Sequence, residues 1–249
     1  MCSSDLQREA EDLVLNHNMF GSLMVRRGEA DALIGGLTQH YPETIRPALQ
    51  VISVRPGLRR VSGLYVLITP HGDIYFLADA TVNIEPTSED LAEIAVCAAE
   101  TARRFGQEPR VALLSFSNFG STHHPLAEKV ARAVDLVRER APELMVDGEM
   151  QADTAVLPEI IEHDYPFSAL KGGANVLIFP NLESGNVAYK LLARIGGAEA
   201  IGPILMGLSK PVHVLQRGAE VNDIVNMAAI AVVDAQEWER QAAPLFAKS

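Results

Sequence analysis

The sequence predicts an α/β fold built on a mostly parallel sheet with helices on both faces, and two observations carry that prediction. Short, almost continuously apolar runs such as RVALLSFS (110–117) and ANVLIFP (174–180) alternate with longer segments whose apolar residues recur at helical spacing. That is the pattern of buried parallel strands and their crossover helices. The strands also end in polar, Gly-containing loops, SFSNFGST, VDGEMQAD, IFPNLESGN and VLQRGAE. In open α/β sheets ligands bind beyond the carboxyl ends of the strands, so these loops are candidates to line one cleft.

The elements follow in order. MCSSDLQREAEDLVLNHN reads as an amphipathic helix entered partway, with Leu6, Leu13, Val14 and Leu15 as its apolar positions, and suggests a truncated chain. ADALIGG (30–36) is a strand and its turn, and TIRPALQVI (44–52) a helix with Pro47 near its start. VSGLYVLIT (61–69) and DIYFLAD (73–79) are strands joined by PHG. SEDLAEIAVCAAETARRFG (88–106) is the clearest helix, opened by Ser88 as N-cap and closed by Gly106. Next come strand 110–117, helix 124–141, strand ELMVDGEM (143–150), helix TAVLPEIIEHD (154–164), strand 174–180, helix SGNVAYKLLARIG (184–196) and strand EAIGPILM (199–206). Val212, Val214 and Leu215 form a last buried strand, and Ile224, Val225, Ala228, Ala229, Val232 and Val233 mark a last helix.

Composition narrows the function. With 48% hydrophobic and 21% charged residues the chain can bury a substantial core. Its formal charge of -11 argues against general affinity for nucleic acid or anionic membrane, so an anionic ligand has to be captured locally. Only Cys2 and Cys97 are present, which gives neither a disulfide framework nor a Cys-based metal site and fits a reducing cytoplasm. Neither a membrane span nor a secretory signal is visible.

The chemistry is concentrated in KPVHVLQRGAEVNDIVNMAAIAVVDAQ (210–236), where Gln216, Arg217 and Asp223 fall between a strand end and a helix start. Free backbone N–H groups and the helix dipole favour an anion there, and a guanidinium adds a planar fork suited to phosphate or a developing oxyanion. An Arg and an Asp at a helix start are also an ordinary surface ion pair, and spacing does not decide between the two. TIRP places Arg46 at the mouth of a helix, for an anion or as a solvated cation. SFSNFGST offers Ser117, Gly120, Ser121 and Thr122 as hydroxyl and backbone donors, or as a plain turn and N-cap. Asp147, Glu149 and Asp153 fit a Mg²⁺ cluster less well than a set of caps, and the adjacent His123 and His124 are poorly spaced for a metal, so no metal site is expected. The signatures GxxxxGK[ST], GxGxxG and GxSxG are missing.

Taken in order, TIRPALQ, FLADATVNIEPTSEDLAEIA, LSFSNFGST, VDGEMQADTAV, KGGANVLIFPNLESGNVAYKLL and GPILMGLSKPVHVLQRGAEVNDIV resemble the phosphate acetyltransferase family, over about residues 20 to 236. FSNFGST, ANVLIFP and residues 210–236 look most like the phosphotransacetylase-like C-terminal domain of bacterial NADP-dependent malic enzymes. The resemblance implies two three-layer αβα domains with mostly parallel sheets and a cleft between them: 1–118 plus 218–249, incomplete at the N-terminus, and an inserted 119–217. It implies a homo-oligomer with a dimer as building block, and acetyl-CoA or a related CoA ester as ligand. No cofactor is implied for this segment; NADP and a divalent metal belong to malic domains outside it.

Active relatives transfer acetyl between acetyl phosphate and CoA. By match, Asp223 is the base that takes the thiol proton, Arg217 binds phosphate and the acyl oxygen, and Arg46 is a second phosphate-binding Arg. Ser117, Gly120, Ser121 and Gln216 join Arg46 and Arg217 as implied ligand-binding positions. The sequence departs from the active pattern KPVNDLSRGCS: His213 and Val214 replace Asn-Asp, Gln216 replaces the Ser before the Arg, and Ala219 and Glu220 replace Cys-Ser. The loop usually written STKGS has Phe119 in place of Lys. Losing a desolvated cation opposite phosphate weakens transition-state stabilisation by about 2–4 kcal/mol. Three readings stand: a regulatory domain of a malic enzyme that binds acetyl-CoA, an active phosphate acetyltransferase, and a purely structural oligomerisation module with an empty cleft.

Overall fold

The computed structural model describes residues 3–246. The chain forms two compact units, one from its two ends, up to Gly57 and from Gly202 onward, and one from Leu58–Ile201.

The first unit opens with two helices, α1 (Ser3–Val14) and α2 (His17–Arg27), where the sequence pattern suggested one. The break is Asn16, whose side chain accepts the N–H groups of Asn18 and Met19 and so caps α2. Strand β1 (Leu33–Gly35) leads to α3 (Tyr41–Val51). α3 starts earlier than the expected 44, because Pro42 fits the first turn, where its missing N–H is no loss. Arg46 therefore lies in the second turn and not at the mouth, and Pro47 is inside the helix.

The second unit begins with β2 (Ser62–Ile68) and β3 (Ile74–Ala78), an antiparallel hairpin in the register Leu64 to Ala78 and Ile68 to Ile74. Helix α4 (Ser88–Arg104) is capped by Thr87, not Ser88: the Thr87 side chain accepts Asp90 N–H, and the Asp90 carboxylate accepts Thr87 N–H. Gly106 closes it at φ 71°. There follow β4 (Arg110–Leu114), α5 (Pro125–Arg140) and β5 (Met145–Met150). The expected helix 154–164 is split into α6 (Ala152–Val156) and α7 (Pro158–Asp164), since Pro158 holds Leu157 extended at φ -103° and ψ 104°. The unit ends with β6 (Val176–Ile178), α8 (Leu182–Arg194) and the first residues of β7 (Glu199–Met206), within which the chain passes to the first unit at Gly202.

These strands form one sheet in the order β5-β4-β6-β3-β2-β7, and β3-β6, β6-β4 and β4-β5 are parallel. Alternation of side chains divides the core. Phe76 turns to α4, where it meets Phe105 edge-on at 5.6 Å. Tyr65 and Leu77 turn to the other face and share a cluster with Ala155, Ile161 and Tyr189, whose ring stacks on Tyr65 at 3.9 Å. The sheet is thus the middle of three layers. Because β4 and β5 are neighbours in it, the boundary at 118/119 suggested by the sequence falls inside this unit.

The first unit continues with β8 (Val212–Val214) and α9 (Val221–Phe246). β8 lies parallel to β1, pairing Leu33 with Val212, Ile34 with His213 and Gly35 with Val214. Val212 packs with Met19 and Val25 of α2 and Ala48, Val51 and Ile52 at α3. Among the described residues no helix is long and apolar enough to cross a membrane.

Candidate functional site

In the first unit, two loops leave the carboxyl ends of the paired strands β1 and β8, and each runs into a helix. Gly36 makes their approach possible: at φ 105°, a Cβ there would lie 2.6 Å from the carbonyl oxygen of Leu215. Arg217, on the loop after β8, places Nη1 3.2 Å from Nε2 of His40, the residue preceding α3. A guanidinium only donates, so His40 Nε2 is the acceptor in this contact. Asp223, in the first turn of α9, accepts Glu220 N–H at 2.8 Å and caps the helix. Arg217 and Asp223 are therefore not the surface ion pair that their spacing allowed; each is engaged elsewhere. Gln216 is exposed beside Arg217. Arg46 is exposed and has no ion-pair or hydrogen-bond partner among the described residues. Two residues before it, Thr44 is buried with its hydroxyl unpaired and its methyl carbon facing Gly35.

In the second unit, the loops after β3, β4, β5 and β6 all leave the same edge of a parallel array. After β3 comes Asp79, 2% exposed. Its Oδ1 accepts N–H groups of Gly63, Thr81 and Val82, and its Oδ2 accepts the backbone and side-chain N–H of Asn83. Burial raises its pKa, and these donors pull it partly back. Helix α8 seals this loop: a Cβ on Gly185 would lie 2.5 Å from the Asp79 carbonyl, and Asn186 donates to the Ala80 carbonyl.

The loop after β4 holds Ser117, Gly120 and Ser121, and their donors turn inward. The Ser117 hydroxyl is fully buried and donates to Glu149 Oε1 at 2.9 Å, while Gly120 N–H donates to the same oxygen at 2.7 Å. Ser121 Oγ accepts Asn118 N–H at 3.0 Å. Of the acidic trio considered for a metal, Glu149 holds this loop, Asp147 binds Arg138 and Ser168, and Asp153 accepts Thr154 N–H. Among the described residues no group of three or more His, Cys, Asp or Glu is placed to hold a metal ion. Lys129 of α5 donates to the Pro180 carbonyl at 2.8 Å after β6; burial lowers its pKa and Glu85 opposes that.

Both units, the two-strand pair with helix-entry loops and the parallel array with inward-tied loops, fall within one family match. The model of the phosphate acetyl/butaryl transferase family matches residues 4–232. The chain belongs to that family. It is 45% identical over 229 residues to a phosphate acetyltransferase of Bacillus subtilis, covering 92% of this chain and 71% of that one. It is 50% identical over 226 residues to an NADP-dependent malic enzyme of Escherichia coli, covering 90% of this chain but only 30% of that one. A solved phosphotransacetylase from Streptococcus pyogenes superposes with a TM-score of 0.89 at 42% identity, covering 92% of this chain and 70% of that structure.

In this phosphotransacetylase-type chain the residues nominated from sequence fall into two groups. Arg46, Gln216, Arg217 and Asp223 belong to the first unit, and Ser117, Gly120 and Ser121 to the second. Residues not nominated for ligand chemistry do much of the shaping: His40 orients Arg217, Glu149 organises the 117–122 loop, and Asp79 organises 79–83. Asp79 had a signal, an acid directly after the apolar run IYFLA. His40 had none, because its partner is 177 residues away.

Proposed function

We propose that this chain is the phosphotransacetylase-like portion of an NADP-dependent malic enzyme and binds acetyl-CoA as an allosteric effector. Phe119 carries this reading. Where active relatives have a Lys, its ring packs against Tyr165 and Phe167, so the position offers an apolar face in place of a cation for a transferring phosphoryl group. The 50% identity to the E. coli malic enzyme and Gln216 in place of Ser support the same reading. Oxidative decarboxylation of malate, with NADP and a divalent metal, would then belong to residues outside this chain. Binding costs less than catalysis when such groups are lost, and coupling of about 1–3 kcal/mol between effector and reaction site is the usual scale of allostery. Association into a dimer belongs to the same proposal, supported by exposed Val187 and Leu191 on α8 and Ile195 directly after it.

An active phosphate acetyltransferase is the second reading, favoured by retention of Asp223 and Arg217. There Asp223 would take the proton of the CoA thiol, sulfur would bond to the acetyl carbon of acetyl phosphate, and the carbon–oxygen bond to phosphate would break with Arg217 holding the departing oxyanion. CoA-dependent consumption of acetyl phosphate decides. Calorimetric binding of acetyl-CoA with turnover at background is expected; turnover far above background would replace the first reading with the second, and absence of acetyl-CoA binding would remove the first.

A further inference from the structure

Helix α9 is apolar on two opposite faces, and its own unit covers one of them. It packs on β1 and β8, and Met227, Ile230 and Ala231 of that inner face are buried. On the outer face Val221 is 74% exposed, Val225 59% and Val232 54%; Ile224 and Val233 lie at its margins, and Ala228 and Ala229 are exposed at its middle. A surface helix has one apolar stripe, whereas a helix that is apolar all round is an enclosed one. Single apolar side chains on a surface are ordinary. A continuous run of them at helical spacing is a patch, and patches mark association sites.

The order of residues along the stripe identifies what covers it. From either end it reads large, large, small, small, large, large. Reversed about the midpoint between Ala228 and Ala229, Ile224 falls on Val233, Val225 on Val232 and Ala228 on Ala229. A surface that maps onto itself in this way meets the requirement of an isologous two-fold contact, in which residue i meets j and j meets i. Alanines at the centre let two helix axes approach closely, and the branched side chains on either side pack around that point. Antiparallel alignment also sets each helix dipole beside the opposite end of the other. Arg240, 3.2 Å from Glu237 of its own helix, comes within one turn of the partner's Glu220. From Val221 to Val233 the stripe is about 18 Å long, room for about three turns of pairing.

We propose that α9 pairs antiparallel with α9 of a second copy of this chain, about a two-fold axis between Ala228 and Ala229. The contact belongs to the first unit and the exposed face of α8 to the second, so the two are separate surfaces. It does not depend on the acetyl-CoA reading. Two different isologous contacts on one chain link dimers into a larger assembly.

The test is sedimentation of the full chain and its Val225→Glu variant, each also in a Leu191→Glu background that disables the α8 face, with circular dichroism and melting of all four. Val225→Glu is expected to halve the mass of the assembly in both backgrounds and to leave the fold unchanged. A mass that Val225→Glu does not alter, or a parent that sediments as a monomer, overturns the pairing. The stripe would then be left to the part of the longer relatives that this chain does not match. Cross-linking reads the register independently of that variant, in a Cys2→Ser background, Cys97 being buried. Val225→Cys with Val232→Cys is expected to give a covalent dimer on oxidation, and neither single substitution is. The two positions lie about 10 Å apart along one helix, too far to join within a chain. A dimer from Val225→Cys alone, or none from the pair, overturns the antiparallel register.

Discussion

His213 Nε2 of β8 lies 3.1 Å from Asp234 Oδ2 of α9, with the imidazole fully enclosed. The approach is close but not aligned as a hydrogen bond, and His213 Nδ1 is also unpaired. His213 replaces an Asn of the active pattern, and it lies between the strand that ends before Arg217 and the helix whose first turn holds Asp223. Asp234→Ala is expected to lower stability by about 1 kcal/mol, the scale of losing one close polar contact beside a buried imidazole. His213→Asn should lose less, because a smaller amide keeps a donor. Urea unfolding of the three proteins checks both; equal stability of parent and Asp234→Ala would show that the proximity contributes nothing.

Gly36 sets how closely the β1 and β8 loops approach. Gly36→Ala adds a Cβ 2.6 Å from the Leu215 carbonyl, at a φ of 105° that L-residues avoid. A loss of roughly 2–4 kcal/mol is expected. Gly57→Ala is the control, since nothing lies within 4 Å of its Cβ position although its φ is also positive, at 90°; it should lose only the conformational part, about 1 kcal/mol. Thermal melts that rank the two equally would contradict the steric account.

Asp79 gives a pH signature. Its pKa is raised by burial, so the folded state binds its proton more tightly than the unfolded chain does. Stability from this group is present below the unfolded value of about 3.9 and is lost as pH rises through the folded value. Other carboxylates oppose this trend: Asp90 is buried too, but Thr87 hydrogen bonds and Arg60 and Arg59 bring its pKa below normal. The difference between parent and Asp79→Asn isolates the group. The variant should lose about 1–3 kcal/mol, because its amide would face the Asn83 donors. Its deficit should shrink as pH rises from 4 toward neutrality. A deficit that widens over that range would reverse the assigned sign.

Arg217→Ala is expected to weaken acetyl-CoA binding by about 1.5–3 kcal/mol with the fold intact, the scale of a charge-assisted hydrogen bond. The side chain is exposed and its recorded partner is His40, so folding should not depend on it. Unchanged affinity in calorimetry would return Arg217 to a surface role.

Asp223→Asn separates the two functional readings. If Asp223 serves as a helix cap in a regulatory domain, the variant keeps an acceptor for Glu220 N–H, and acetyl-CoA affinity should stay within about threefold, under about 0.7 kcal/mol. Steady-state acetyl transfer that is robust in the parent and drops a hundredfold in the variant would show a working base.

The sequence by itself determined the α/β class, the order of most elements and the family. Apolar periodicity located the strands because buried parallel strands need apolar residues on both faces, and long ordered motifs such as ANVLIFP and QRGAEVNDIV need no geometry to be matched. Boundaries were less legible where one residue changes the local backbone: Asn16 starts a second helix, Thr87 displaces Ser88 as cap, and Pro158 splits α6 from α7. Only the tertiary structure decided which donors are free. Ser117, Gly120 and Ser121 read along the chain as an anion-binding loop, yet Glu149, 32 residues beyond Ser117, takes two of their donors, and Phe119 joins an aromatic cluster with residues that follow α7. Hydrogen bonds and ring contacts depend on distances of a few ångströms between segments far apart in sequence, which periodicity and spacing do not encode.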